Sequence, residues 1–562
     1  KDLDRAWSRM KELSEYSGLS LAAQLRSLSD WLVGINSTRA YRIITKIALS
    51  VGRVITPTLA LIVNRDKEVE DFKEAFFYQL KGTWAGLPFL FYDGKESKLE
   101  DETFIKTSYE STGEKKFSLS EFKEEEKTEN PPKPFSLPEL QKEANKVFGY
   151  KLDRTLELAQ ELYEKKVLTY PRTDSPYLPE SDLSEYHGLV RSFATEEQAA
   201  CLIPETQQPA CVKDTDSPHT ALIITGEKPR GLNADQQNIY DLVKNRFIVS
   251  FMIPRSFIEY NVTIMNTSGN NSLYADTDGF YTFKTRVVFD IDLGYKKYLK
   301  SEDEQNEPNT SGLRLNREMF HSIHEAITDL FVDKKKRSKP KHYTPATLIT
   351  AMQTCGRNLN NDKYKRILSE LKGIGTPATQ STFPKKLEEL GLIISKKGSY
   401  VSTPKGRALI ELVSESLKTP ELTAEWELKL RLVESGELEP HVYKRDLEDF
   451  VTGIVDDTRG RKGSAVIPNG KETNFLCPKC KKKIFELPKL FVCEDNSCGF
   501  KMFKEFWGVS IPKPSIKELF TKGETAVFGG FKKKDNTGTY SARLYFDDQF
   551  KVQKSTNKRN GS

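Results

Sequence analysis

Apolar positions along the chain change period several times, and each change marks an element. Leu21, Leu25, Leu28, Leu32 and Ile35 recur in alternating steps of four and three, the spacing of one stripe on an α-helix. Arg39, Arg42 and Lys46 follow at i, i+3 and i+7, so the helix ends in a basic face suited to a phosphate backbone or to plain solvation. Thr56-Pro57-Thr58 reads as an N-cap followed by proline at the first helical position. Free N–H groups at such a helix start, beside Gly52 and Arg53, make a potential phosphate site. From Phe76 short apolar runs replace the helical period, with a turn at Asp93-Gly94, and the same texture returns between Ser256 and Leu299. These two stretches predict one β-rich domain interrupted by a helical insert. The insert opens at Ser136-Leu137-Pro138-Glu139, a capping box with Phe135 and Leu140 at the staple positions. A second helix follows, with Leu152, Leu156, Ala159, Leu162 and Tyr163 expected on its buried face and an end near Lys165-Lys166. The stretch from Tyr343 to Val401 reads as a helix-turn-helix with a wing: YTPATLITAMQ, then GIGTPATQSTFPKKLEELGLI, then a hairpin through Lys396–Val401. Proline costs about 3 kcal/mol inside a helix, so Pro384 places the start of the second helix near Thr382 rather than at Pro377.

A chain of 562 residues exceeds one hydrophobic core and predicts about three to five domains. No run of 18 apolar residues occurs, which excludes a helical membrane span. The net charge of +6 is mild, but basic residues cluster at Lys334–Lys341, at Lys532–Lys534 and in the tail Lys551–Arg559, as suits nucleic acid or a solvated face. Cys477-x2-Cys480 and Cys493-x4-Cys498 stand twelve residues apart, the spacing of a four-cysteine zinc site rather than a disulfide framework. The alternative is a ribbon packed without metal. Thiols used this way point to a reducing, cytoplasmic setting. Phe500, Phe503, Phe506 and Trp507 follow, either to stack on unpaired bases or to form the ribbon's small core.

The densest chemistry lies in Thr169-Tyr170-Pro171-Arg172-Thr173-Asp174-Ser175, which packs a nucleophile, a cation, hydroxyls and a carboxylate into one segment. A tyrosine hydroxyl ordinarily titrates near 10, so a phenolate near neutral pH costs roughly 4 kcal/mol unless a cation assists. Arg172 is placed to assist, or to hold the phosphate under attack. Pro171 favours extended backbone at Tyr170, and Pro176 ends the local structure, so a stiff exposed turn is expected.

The string LTYPRTDSPYLP resembles the active-site signature of type IA DNA topoisomerases, above all the topoisomerase III branch. SDWLVGINSTRA, VGRVITPTLALIV, HTALIIT, IYDLVKNRF, YTPATLITAM, GIGTPAT and PELTAEWE resemble further blocks of that family in the same order, over roughly residues 1 to 510. The resemblance implies an α+β multidomain, toroidal core with winged-helix-like helical domains, a β-rich arch and a C-terminal zinc ribbon. It assigns 1–75 and 341–460 to the helical scaffold, 76–130 and 253–340 to the arch, 131–252 to the tyrosine domain, 470–510 to the ribbon and 511–562 to a small β-rich module. Family members break one DNA strand through a 5′-phosphotyrosine link, pass another strand and reseal, so that supercoils relax or linked DNA separates without ATP. By position, the resemblance makes Tyr170 the nucleophile and Arg172 the phosphate-stabilising arginine. His219 falls on a histidine near the scissile phosphate; by itself it reads as a hydrogen-bonding surface histidine. Thr173 and Asp174 fall on the active-site scaffold, and Gly52, Arg53 and Thr56 on the groove for single-stranded DNA, which Arg39 extends. Ile55 stands where the family usually has Gln.

Such proteins begin with an acidic Toprim domain that holds Mg2+, and this chain starts just downstream of where it would end. The expectation is a truncated chain that binds single-stranded or underwound DNA but does not cleave it alone. The resemblance implies a monomer and is compatible with a helicase partner. The rival reading is a non-enzymatic winged-helix and zinc-ribbon protein gripping duplex DNA.

Overall fold

The computed structural model describes residues 7, 10, 12–45, 47, 49–94, 96–113, 115–214, 219–266, 281–299, 314–460, 470–487, 489–493, 495, 498–533 and 538–556. Lys46, Lys534 and the end of the basic tail lie outside them. The chain is α+β and divides into two compact units, 1–66 with 342–562 and 67–341.

In the first unit the helix Ser17–Thr45 packs against the helices Glu421–Glu434 and Pro440–Gly460. Its buried stripe is not the predicted leucine stripe. The buried positions are Ala22, Leu25, Ser29, Val33, Ser37, Tyr41 and Thr45, whereas Leu21, Leu28 and Leu32 are half-buried and Ile35 is exposed. Small residues let the helices approach closely: a Cβ on Gly18 would lie 2.2 Å from the Glu434 carbonyl oxygen. Two of the buried hydroxyls are satisfied locally, Ser29 Oγ donating to Leu25 O at 2.7 Å and Thr45 Oγ1 to Tyr41 O at 2.7 Å, whereas Ser37 Oγ has no hydrogen-bond partner among the described residues. The next helix, Ile55–Glu70, starts one residue before Thr56, which is therefore not its N-cap. Instead the Thr56 hydroxyl accepts the Gly52 N–H at 3.0 Å and fixes the turn.

The winged unit is present, with one addition. The helices Pro345–Thr354 and Thr382–Glu389 and the hairpin Ile393–Lys396 with Ser399–Ser402 flank a further helix, Asp362–Glu370. Thr344 caps the first helix through a capping box. The second starts at Thr382 as expected, after a single separate turn Pro377–Gln380, so Pro384 lies in its first turn where no N–H is needed.

In the second unit seven described strands, β1 Phe76–Trp84, β2 Leu87–Tyr92, β3 Lys116–Glu129, β4 Arg255–Asn266, β5 Thr282–Asp292, β6 Glu325–Ala326 and β7 Thr328–Lys336, form one antiparallel sheet. Their order is β6-β3-β4-β5-β2-β1-β7. The β1–β2 turn is Ala85-Gly86, with φ of 50° and 76°, rather than Asp93-Gly94, a bend after β2 in which Asp93 Oδ1 accepts the Glu96 N–H at 3.1 Å. Between β3 and β4 runs a helical insert with its own core of Phe135, Leu140, Leu158, Leu162, Ile223 and Phe247 among others. Each such side chain contributes about 1.5–3 kcal/mol by leaving water.

The insert's first helix is Leu137–Phe148, as expected, but Ser136 makes no side-chain cap bond. The Leu137 N–H donates to Thr173 O at 2.9 Å, Pro138 has no N–H, and Glu139 pairs with Lys142. The second helix is Leu152–Glu164; its buried face carries Leu152, Thr155, Leu158, Ala159 and Leu162, while Leu156 is half-buried and Tyr163 is exposed.

Candidate active-site tyrosine, strand groove and cysteine cluster

The nucleophile segment is held by pairing at both ends. Thr169 N–H donates to Ile223 O at 2.9 Å, its hydroxyl donates to Ala221 O at 3.2 Å, and Ile223 N–H returns to that hydroxyl at 3.0 Å. Downstream, Thr173 O accepts Leu137 N–H, and Tyr177 O accepts Ala221 N–H at 2.8 Å. Between these ties burial alternates: Tyr170 and Arg172 are exposed, Pro171, Thr173 and Ser175 buried, Asp174 half-buried. Tyr170 and Arg172 stand on either side of a bend at Pro171, and both are open to solvent. Thr173 serves the backbone, its hydroxyl accepting Ser175 N–H at 3.1 Å.

Pairing of Thr169 with 221–223 also delivers His219. Its ring lies 6.0 Å from that of Tyr170, centroid to centroid, tilted by 35°. On the other side Tyr163 meets Tyr170 edge-on at 5.5 Å. Sequence reading had assigned Tyr163 to the core; its position in the last turn of a helix that leads into the loop was the available signal. Arg172 has no hydrogen-bond or ion-pair partner among the described residues. The site thus offers a solvent-facing hydroxyl, an open cation and an imidazole, the parts that nucleophilic attack on a phosphate diester requires.

The predicted strand groove lies in the other unit. Gly52, Arg53 and Ile55 line a cavity of about 550 Å³ together with Gly373, Gly375 and Lys386. Gly373 has φ +91°, and a Cβ there would lie 1.9 Å from Met352 O, so only glycine fits this wall. Arg53 is buried and engaged: Nε donates to Asp30 Oδ1 at 2.8 Å, Nη2 to Asp30 Oδ2 at 3.1 Å and Nη1 to Glu427 Oε1 at 3.1 Å. Arg26 pairs with Glu427 as well. Burial alone would lower the Arg53 pKa, but the charges and hydrogen bonds of Asp30 and Glu427 raise it overall. Thr56 is buried. Arg39 is exposed, and Arg42 donates to Leu49 O at 2.9 Å beyond the helix end.

The four cysteines converge. The sulfurs of Cys477, Cys480, Cys493 and Cys498 lie within 4.8 Å of one another, with Cys480–Cys493 at 3.3 Å and Cys477–Cys498 at 3.7 Å. A tetrahedral zinc with bonds of about 2.3 Å needs sulfurs roughly 3.8 Å apart, so the set fits a metal such as zinc. Asp495 N–H points at Cys493 Sγ at 3.3 Å, a knuckle bond that orients the ligand. Cysteines and the following helix Lys513–Lys522 share one core, where Phe475 stacks on Phe520 at 4.8 Å. Of the aromatics, Phe500 is buried while Phe503 and Trp507 are about half exposed. No other group of three or more His, Cys, Asp or Glu suited to a metal occurs among the described residues. Nor, among them, is any helix long and apolar enough to cross a membrane.

Comparison with known proteins identifies the class. A family model described as DNA topoisomerase matches residues 14–443, and one described as the C-terminal repeat of topoisomerase matches 497–555. DNA topoisomerase 3 of Shouchella clausii is 30% identical over 554 residues, covering 94% of this chain and 73% of that one. The Bacillus subtilis protein of the same name is 27% identical, covering 89% and 69%. Full-length topoisomerase I of Thermotoga maritima shares the fold, with a TM-score of 0.56 at 24% identity over 88% of this chain and 77% of that one. The chain belongs to the DNA topoisomerase family, as a type IA member of the topoisomerase III kind.

Proposed function

We propose that this protein breaks and rejoins one DNA strand, with Tyr170 as nucleophile. The observation that carries the reading is the exposure of both Tyr170 and Arg172 in one short segment, with the His219 ring 6.0 Å from that of Tyr170. In the forward step the phenol loses its proton to solvent and its oxygen bonds to phosphorus. The P–O3′ bond breaks, the 3′ oxygen gains a proton, and the phosphate stays esterified to Tyr170 on the 5′ side. Arg172 offsets the charge that gathers on the phosphate oxygens, and His219 orients them. Because the ester conserves the bond energy, the reverse step reseals the strand without ATP. Passage of a second strand in between relaxes or unlinks DNA. Along the groove, Arg39 contacts backbone phosphates, and Arg53, engaged by Asp30 and Glu427, holds the wall beside Gly52 and Thr56. Zinc on the four cysteines would act structurally, closing the C-terminal module.

The test is covalent capture on single-stranded oligonucleotides carrying 3′-bridging phosphorothiolate, whose sulfur leaves more readily than oxygen. The expected adduct maps to Tyr170, and Tyr170→Phe abolishes it while non-covalent binding persists. An adduct surviving in that variant would sink the assignment. A duplex-binding protein of the winged-helix kind would prefer double strands and give no adduct.

A further inference from the structure

Tyr177, seven residues past the nucleophile, carries two ammonium groups. Lys133 Nζ lies 4.2 Å from its ring centroid and donates to its hydroxyl; Lys213 Nζ lies 4.0 Å from the same ring. Tyr177 and Lys133 are half-buried and Lys213 is exposed. Neither lysine is paired with a carboxylate among the described residues. Elsewhere in this unit lysines meet acids, as Lys127 meets Glu125 and Glu259. A cation over an exposed ring gains only about 0.5–1 kcal/mol, while two ammoniums on one ring repel each other. Among the described residues the arrangement is therefore a positive site without a carboxylate partner. The same field acts on the phenol: the Lys133 hydrogen bond, then the charges of both lysines, lower the Tyr177 pKa.

Its place in the fold says which anion it meets. Ala221 bridges the two tyrosines, since its N–H binds Tyr177 O and its carbonyl binds the hydroxyl of Thr169, the residue before Tyr170. The lysine pair so flanks the nucleophile on the segment whose backbone fixes it, yet is separate from Arg172 and His219. We propose that Lys133, Lys213 and the Tyr177 hydroxyl form a second phosphate site, which grips a backbone phosphodiester of the same single strand next to the one under attack. This rests on the assignment of Tyr170 for its orientation along the strand, though not for the contact itself.

A neutral-phosphate scan tests it. Single-stranded oligonucleotides with one methylphosphonate at each position in turn are bound to the protein and to its Lys133→Gln/Lys213→Gln variant, with melting curves showing that both are folded. In the unmodified protein, one methylphosphonate near the capture point should weaken binding several-fold; in the variant the same replacement should change nothing. The slope of log K against log salt should also fall by about 0.7, the value for one phosphate neutralised on a single strand. A variant that keeps the full slope and full sensitivity at every position would overturn the proposal. If the protein forms no adduct at Tyr170 but this coupling is found, the phosphate site stands and the nucleophile assignment falls.

Discussion

Two regions carry an arginine that the sequence marks for DNA, and they treat it in opposite ways. In the tyrosine segment Arg172 is exposed, two residues past Tyr170, and open to an anion. In the helical groove Arg53 is buried, with three of its N–H groups on Asp30 and Glu427. A motif states which cation is present, and only the surroundings state whether its charge is already engaged. An engaged arginine builds a wall; an open one keeps its donors for an anion.

The comparison breaks most visibly at Arg53. Arg53→Met leaves the buried Glu427 with Arg26 alone and should destabilise the helical unit by about 1–3 kcal/mol, less than for a buried charge left with no partner. Urea unfolding checks this, and a change under about 1 kcal/mol would show the cluster to be solvated. Arg172→Ala should do the reverse, leaving the urea midpoint unchanged while covalent capture slows by roughly a hundredfold or more. Arg172→Lys should recover little, because an ammonium lacks the planar two-point grip on phosphate. Near-normal capture by the lysine variant would reduce Arg172 to a simple charge.

Metal removal should be felt over a shorter reach. A chelator should expose residues 470–556 to protease while residues 67–341 keep their protection, since the cysteines share a core with the C-terminal strands. Protection unchanged at both places would mean that the ribbon packs without metal. Smallest is the effect of an engaged acid, Glu259 on β4. Lys127, then Arg286 and Asn261, hydrogen-bond its carboxylate and hold its pKa down to about 2. A depressed carboxylate stabilises the fold above its unfolded value of about 4.3, and that contribution is lost as pH falls toward 2. Glu259→Gln should therefore flatten the acid limb of a stability–pH curve, and an identical limb would deny Glu259 this part.

The tyrosine segment was readable because its parts are consecutive: nucleophile, cation and turn-forming prolines all fall within Thr169–Pro176. His219 was not readable from its own residues, since a distant backbone pairing brings it to Tyr170, and only the family resemblance marked it. Lys133 and Lys213 gave no signal for the same reason. The helix Ser17–Thr45 was seen but turned the wrong way, because Ser29, Ser37 and Thr45 look polar although they lie on the face that the helix buries. The Ala85-Gly86 hairpin lost to the stronger-looking Asp93-Gly94, because alanine gives no hint of a positive φ. The α+β class itself followed from the family resemblance; the change of apolar period marked only the β-rich stretches and the helical insert between them.

Ala221 has a consequence for how the chain tolerates change. Because it stitches Thr169 to Tyr177 at its base, the excursion from Tyr177 to His219 resembles a bight in a rope, pinned where it starts, tied again to the insert's core through Leu178, Val190, Cys201 and Cys211, and slack only at its exposed turns. Closing a longer loop costs slowly, about 0.6 kcal/mol for each doubling of its length. A few residues inserted at the exposed turn around Thr206 should then leave Tyr170, Arg172 and His219 in place. A single proline at Ala221 should not, since it deletes the N–H that binds Tyr177 and unpins the knot.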